Sequence, residues 1–202
     1  IDEMLSRIAS ESMRLTGAAR SEVLLTDDRQ VTSIVRKGYS KTLFCPTFEQ
    51  VNQGITGWVL RENNSTLSSN LYRDERMQGL EVELVAGQGA RSMIASPLVI
   101  RTNSGSRAMG VLSAVRRQEA AAFTDRELGL LNMLAGQASI VIENARNFEE
   151  RKRRITELSI LNQTGQALSS TLEMDELIEL IYHQVARVMD AQNFYIALYD
   201  SE

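Results

Sequence analysis

Apolar residues at Met4, Leu5, Ile8, Ala9 and Leu15 recur at mostly three- and four-residue steps, which predicts an amphipathic helix over about the first 18 residues, ended by Gly17. Two short strands follow, EVLLT (22–26) and VTSIVRKGY (31–39), joined by the polar turn Asp27-Asp28-Arg29-Gln30. The chain is then irregular through Pro46 until GITGWVL (54–60), which reads as a short helix. Gly54 and Gly57 permit close backbone approach there, and Trp58 supplies the only indole. NSTLSSNLYRDERM (64–77) begins as a strand and becomes a polar loop, while ELVAGQGARS (83–92) reads as a helical turn broken by Gly87 and Gly89. SMIASPLVI (92–100) and AMGVLSAVRR (108–117) form the clearest hairpin, with TNSGSR as its loop. Pro97 has no N–H, so its strand is expected to bulge or to lie beside an unpaired position. A strand-rich middle with helices at both ends of the sequence predicts an α+β fold, with helices on one face of an antiparallel sheet.

The longest element opens at FTDREL. Thr124 is a good N-cap, Glu127 completes a capping box, and Phe123 and Leu128 stand where a hydrophobic staple would pair them. Helical periodicity then continues to about Ser169 without a proline, a rod of ~45 residues and on the order of 70 Å. Val141, Ala145, Phe148, Lys152 and Ile155 step as one heptad stripe; Leu158, Leu161, Gly165, Leu168 and Leu172 step as another, out of register with the first. The slip follows EERKRR (149–154), where a coiled coil would over- or underwind. Two readings stay open: a seam with a second copy through Val141, Phe148, Ile155 and Leu158, or a solvated charged linker with imperfect core spacing. Ser170 and Glu173 form a further S-x-x-E box at the start of the next helix.

That next helix repeats the first. MDELIELIYHQVARVMDAQNFYIALYDSE, from Met174, aligns without a gap on the first 29 residues at a constant offset of 173. Asp175/Asp2, Glu176/Glu3, Ile181/Ile8, Arg187/Arg14, Ala191/Ala18, Leu198/Leu25 and Asp200/Asp27 are identical. The period is domain-sized, far beyond the roughly 20–50 residues of solenoid units. The chain therefore reads as one module (1–150), a helical linker (151–173) and the opening of a second, truncated module (174–202), an excerpt of a longer tandem protein. The apolar strand NFYIALYD would then lack its own sheet, and pairing with another chain is expected.

Composition narrows the class. Of the 202 residues 43% are apolar and 24% charged, as in an ordinary globular domain, and no apolar run approaches the ~18 residues of a membrane span. A net charge of −4 gives no reason to expect nucleic acid, whose recognition leaves a basic face. Cys45 is the only cysteine, which rules out an internal disulfide framework and fits a reducing compartment, so the cytoplasm is the expected location.

Taken in order, GITGWV, TLSSNLYRDER, RSMIASPLVI, MGVLSAVRR and FTDRELGLLNMLAGQASIVIENARNF resemble the GAF domain family, the small-molecule-sensing relative of the PAS fold. The last piece is the most specific, being similar to the family's closing F-T-x-x-(D/E)-x-x-L-L-x-x-L-A-x-Q helix ending in E-N-A. Asn70 stands where the family's D-x-x-x-D-x-R loop has its first Asp. The resemblance implies a GAF/PAS-like central sheet with a ligand pocket between one sheet face and the loops after GITGWV and around SNLYRDER. It also implies a regulatory role upstream of a kinase, cyclase, phosphodiesterase or transcriptional activator, and parallel dimers of tandem copies.

Within that frame Trp58, Ser69, Asn70, Asp74, Arg76, Met93 and Ala95 are the candidate ligand-binding residues. Arg76 offers a planar fork to an anionic group, Asn70 can orient a ligand by hydrogen bonds, and Trp58, Met93 and Ala95 would be apolar wall. The plainer alternative has Asp74 and Arg76 paired with each other and the apolar residues as core. Cys45 as a chromophore attachment point is a third reading, without a neighbouring His or Asp to support it; a structural cysteine is the simpler one. Methionine-sulfoxide reduction needs a resolving thiol that one cysteine does not supply. Cyclic nucleotides are disfavoured, because Phe123, Asp125 and Glu127 miss the family's N-K…F-x-x-x-D-E spacing. His183 lacks the acidic neighbour of a phosphoacceptor. The expected function is a non-enzymatic sensory module that binds an unknown small molecule and relays through a dimeric helical linker to an output domain outside this chain; the alternative is an unliganded dimerisation spacer.

Overall fold

The structure, a computed structural model, describes residues 2–39, 46–77, 89–102, 105–171 and 174–187. The chain divides into two compact units, Ile1–Arg146 and Asn147–Glu202.

The first unit is built on a five-stranded antiparallel sheet whose strands lie side by side in the order Gln30–Lys37, Arg20–Asp27, Gly105–Arg117, Ala90–Thr102 and Thr66–Ser68. Helix α1 (Asp2–Thr16) ends at Gly17, whose φ of +62° suits glycine. Strands β1 (Arg20–Asp27) and β2 (Gln30–Lys37) are joined by a two-residue turn with positive φ at Asp28 and Arg29, the backbone that matches strand twist in a tight hairpin. A one-turn helix α2 (Phe48–Val51) precedes α3 (Gly54–Glu62). The periodicity missed α2; a capping box between Thr47 and Gln50 starts it. Then come β3 (Thr66–Ser68), a 3-10 turn (Leu71–Arg73), β4 (Ala90–Thr102), β5 (Gly105–Arg117) and α4 (Asp125–Thr171).

The β4–β5 hairpin is longer than its sequence pattern indicated. Thr102 pairs with Gly105, so most of TNSGSR is strand rather than loop. Pro97 behaves as its missing N–H requires. It lies beyond the stretch of β4 that β3 covers, Met93–Ala95, and a register shift follows at Leu98/Val99. The expected helical turn at ELVAGQGARS falls partly outside the described residues; from Ala90 onward it is β4.

The helices from the two ends of the sequence share one sheet face. Leu5, Ile8 and Ala9 of α1 and Leu131, Ala135, Ala138 and Ile142 of α4 pack there against Val23, Leu112 and Ile94. Each large side chain so buried contributes about 2 kcal/mol. The opposite face carries α3 and the 3-10 turn, through Ile55, Val59 and Leu71 against Met93, Ala95, Val111 and Val115. The strand alternation assigns the faces, since Val111 and Leu112 point opposite ways.

At the start of α4, Glu127 Oε2 accepts from the Thr124 N–H at 2.8 Å and from its hydroxyl at 2.9 Å, and Phe123 and Leu128 both pack into the core. The cap is thus built from the expected residues, with the Thr124 hydroxyl donating to Glu127. In the second unit, α4 carries exposed i,i+4 ion pairs Arg154–Glu150 and Arg153–Glu157, and α5 (Met174–Ala186) forms over the segment that repeats α1. Phe148, Ile155, Leu158 and Leu161 are each 66–68% exposed. NFYIALYD lies outside the described residues. No helix among the described residues is long and apolar enough to cross a membrane.

Candidate functional site

The sheet face under α3 gathers most of the residues singled out above. Helix α3 is seated by a close approach. A Cβ on Gly57 would overlap the Asn52 carbonyl and lie 2.7 Å from its Cα. Arg61 closes the same junction, donating to the Asn52 backbone oxygen and, at 3.1 Å, to its side chain. So placed, Trp58 packs half-buried at the edge of the apolar cluster that contains Met93 and Ala95.

Arg76 lies over Trp58, its guanidinium carbon 5.1 Å from the ring centroid. Asp74 holds it from below: Oδ1 accepts from the Arg76 backbone N–H at 3.1 Å and from Nε at 2.9 Å, and Oδ2 accepts from Nη2 at 2.7 Å. Nη1 donates to Thr66 Oγ1. The side chains are 11% (Asp74) and 27% (Arg76) exposed, so this is a partly desolvated, bidentate pair. Asn70 has a different task. Its Oδ1 accepts from the Tyr72 N–H at 3.1 Å and caps the 3-10 turn. Ser69 is exposed.

The Arg76 guanidinium, aided by the Ser68 hydroxyl and by the Arg76 backbone N–H, holds the Asp74 carboxyl at about 2 against the opposing effect of burial. A carboxyl depressed in the folded state contributes stability above its unfolded value, and that contribution is lost as pH falls from the ordinary aspartate value towards 2. Between pH 5 and pH 2 the wild type is therefore expected to lose about 2 kcal/mol that Asp74→Asn never has. Urea denaturation across that range checks it, and parallel profiles for the two proteins would refute the pairing.

Two further polar groups on this face were missed from the sequence. Glu22 and Arg36 pair across β1 and β2 at 2.5 Å, 15% and 12% exposed, and burial pushes the Glu22 carboxyl up despite Arg36. Strand register then sets Arg36, Glu22, Ser113, Ala95 and Thr66 in one row across all five strands, from that ion pair to the residue that binds Arg76. The readable signal was the alternation that puts Glu22 on the face of Leu24, and Thr66 on that of Ser68.

Other features stand apart. A cleft of about 710 Å³ lies between the 63–65 loop, the far end of β4 and α4, and a groove of about 590 Å³ runs between α1 and α4 over Met4, Ile8, Leu134 and Val141. Cys45 lies outside the described residues. His183, on α5, is exposed and meets the Tyr182 ring edge-on at 5.7 Å. Among the described residues no cluster of His, Cys, Asp and Glu is arranged to hold a metal ion.

A GAF domain profile matches residues 1–143. Among curated proteins there is no match. Solved structures with the same fold include the GAF domain/HD domain protein from Geobacter sulfurreducens (17% identity, TM-score 0.58, covering 72% of this chain and 93% of that one). The blue-light absorbing form of the Thermosynechococcus elongatus PixJ GAF domain is similar too (15% identity, TM-score 0.58, 77% and 92%). So is the second GAF domain of DevS from Mycobacterium smegmatis (20% identity, TM-score 0.54, 74% and 97%).

Proposed function

The chain belongs to the GAF domain family, and from that premise we propose that it is a non-enzymatic sensory module of a cytoplasmic signalling protein. A small molecule binds on the α3 face of the sheet, between Met93 and Ala95 below and the Ser69–Arg76 loop above. Trp58 and Arg76 are its principal contacts. The observation that carries this reading is the Arg76 fork, partly desolvated and stacked on Trp58 at the margin of an apolar face. A core has little use for a guanidinium there; an anionic or planar ligand has. Incubation with metabolite mixtures followed by native mass spectrometry is expected to show a retained species that Arg76→Met loses. Equal retention by both proteins would count against the site.

A second reading, an unliganded spacer, is favoured by one observation. Asp74 and Thr66 already bond the Arg76 nitrogens, so the loop is held without a ligand. A bare mass for the wild type after every incubation would support it. Covalent chromophore binding at Cys45, in the manner of a photoreceptor, falls if purified protein absorbs no visible light.

The relay runs through a homodimer along α4, towards a second GAF module that begins near Met174. Phe148, Ile155, Leu158 and Leu161 stand in water on one chain, and a partner copy of the same helix would cover them. Ligand occupancy biases the two heptad registers on either side of 149–154, within the limit set by its differential affinity for the two states. Phe148→Glu with Ile155→Glu is expected to give a monomer by light scattering, and a persisting dimer would exclude α4 as the seam.

A further inference from the structure

We propose that the cleft along the open edge of β4 binds a zwitterionic small molecule of the α-amino-acid class, separately from the α3-face site. The cleft exists because β3 is short: it covers Met93–Ala95, while β4 runs on to Thr102. The 63–65 loop makes one wall and α4 the other, around a space of about 710 Å³. Gly136 lines the α4 wall, and a Cβ there would meet nothing within 4 Å, so the space reaches the helix backbone. An added strand is not the occupant. Pro97 has no N–H to offer, and the Val99 N–H is already held by Ser139 Oγ at 2.9 Å. At Pro97 and Val99 the edge offers no free N–H to an added strand, while the cleft beside it is open to a solute.

The polarity of the cleft selects the solute. Ser139 meets Val99, and Asn132 Nδ2 donates to Ser65 Oγ at 3.2 Å beside the start of β3, so β4 and α4 advance together. The strand from Ser96 to Arg101 and the helix from Asn132 to Glu143 each advance about 16 Å. Arg101 and Glu143 therefore fall at one end of the lining and Asn132 at the other. Among the described residues no ion pair joins Arg101 to Glu143. A guanidinium and a carboxylate at one end match the carboxylate and ammonium of an amino-acid head group. The amide and hydroxyl at the far end suit a polar side chain. Asn63, also in the lining, donates to the Ser106 carbonyl at 3.4 Å but keeps its own Oδ1 buried without a partner, an acceptor that a ligand N–H would satisfy. The described lining holds no aromatic ring, so a sugar or a base would find no stacking face.

Isothermal titration of the whole chain with L-glutamine, L-asparagine and L-serine tests this. Saturable binding of at least one is expected, with the N-acetylated amide of the same amino acid roughly tenfold weaker or worse, because it lacks both charges. Arg101→Ala and Glu143→Ala should each weaken binding about tenfold without lowering Tm. Gly136→Leu, a favourable change for an exposed helix position, should abolish binding by filling the cleft. Arg76→Met should leave it intact. No saturation by any of the three probes would overturn the proposal, as would equal binding of the blocked analogue or indifference to Gly136→Leu. Loss of binding in Arg76→Met would also overturn it, by moving the ligand to the α3 face.

Discussion

Arg116→Ala is expected to cost the domain about 3–5 kcal/mol and lower its Tm by roughly 10 °C. One guanidinium near the end of β5 ties the end of α1, about a hundred residues earlier in the chain, to the loop and the helix start that follow β5. Its Nε donates to the Gly17 carbonyl at 3.4 Å, and its Nη2 to the Thr16 carbonyl and the Glu127 carboxylate. Its Nη1 donates to the Ala121 and Ala122 carbonyls at 3.4 and 3.5 Å, and the group lies 4.2 Å from the Phe123 ring centroid. The Arg116 and Glu127 side chains are only 14% and 21% exposed. Truncation leaves several acceptors without donors and a carboxylate without its cation, and each loss is large when water cannot replace it fully. Arg116→Lys should recover part of the loss, since one ammonium cannot reach every acceptor. There is also a pH signature. Burial alone would raise the Glu127 carboxyl, but hydrogen bonds from the Thr124 backbone, Arg116 and the Thr124 hydroxyl together bring it below its ordinary value. Its contribution is therefore present above the ordinary glutamate range and lost on acidification, so the gap between wild type and Arg116→Ala should narrow as pH falls. A gap independent of pH, or a Tm change of a degree or two, would mean that Arg116 is only a surface group.

Gly57→Ala is the second large effect, on the order of 3 kcal/mol or more, concentrated on α3. The added methyl would occupy the space of the Asn52 carbonyl, and because the atoms it meets are Asn52 backbone, no flexible side chain is there to yield. Helix α3 must then lift, withdrawing Ile55 and Val59 from the sheet and Trp58 from Arg76. Denaturation should show the stability loss, and tryptophan fluorescence should shift to the red, because Trp58 is the only indole. At Gly129, by contrast, a Cβ meets nothing within 4 Å, so Gly129→Ala on α4 is the control and should be neutral or stabilising. Equal behaviour of the two alanine variants would refute the close approach.

The sequence carried the fold wherever burial writes a period. Helix α1, the β1–β2 hairpin, the α3 helix and the capped start of α4 all lie where apolar spacing and turn residues placed them. Boundaries were less legible. Polar TNSGSR reads as loop, yet backbone pairing runs on as far as Thr102 and Gly105, because a hairpin end needs no apolar side chain to stay in register. The site was half legible. Asp74 and Arg76 are two residues apart, so their pairing is a local fact that spacing can suggest. Thr66 joins them only through the fold, and Glu22 and Arg36 meet only because strand register brings them opposite each other. Arg116 was invisible for the same reason. Its acceptors are mostly backbone carbonyls, which every residue possesses and no sequence pattern marks.

The α3-face site is tested most directly by crystallising the protein after incubation with the species that native mass spectrometry finds retained. Expected is electron density between Ala95 and the Ser69–Arg76 loop, within hydrogen-bond distance of Arg76 and against the Trp58 ring. Density at that position filled only by Trp58, Arg76 and their present partners, with the retained species elsewhere on the chain, would contradict it.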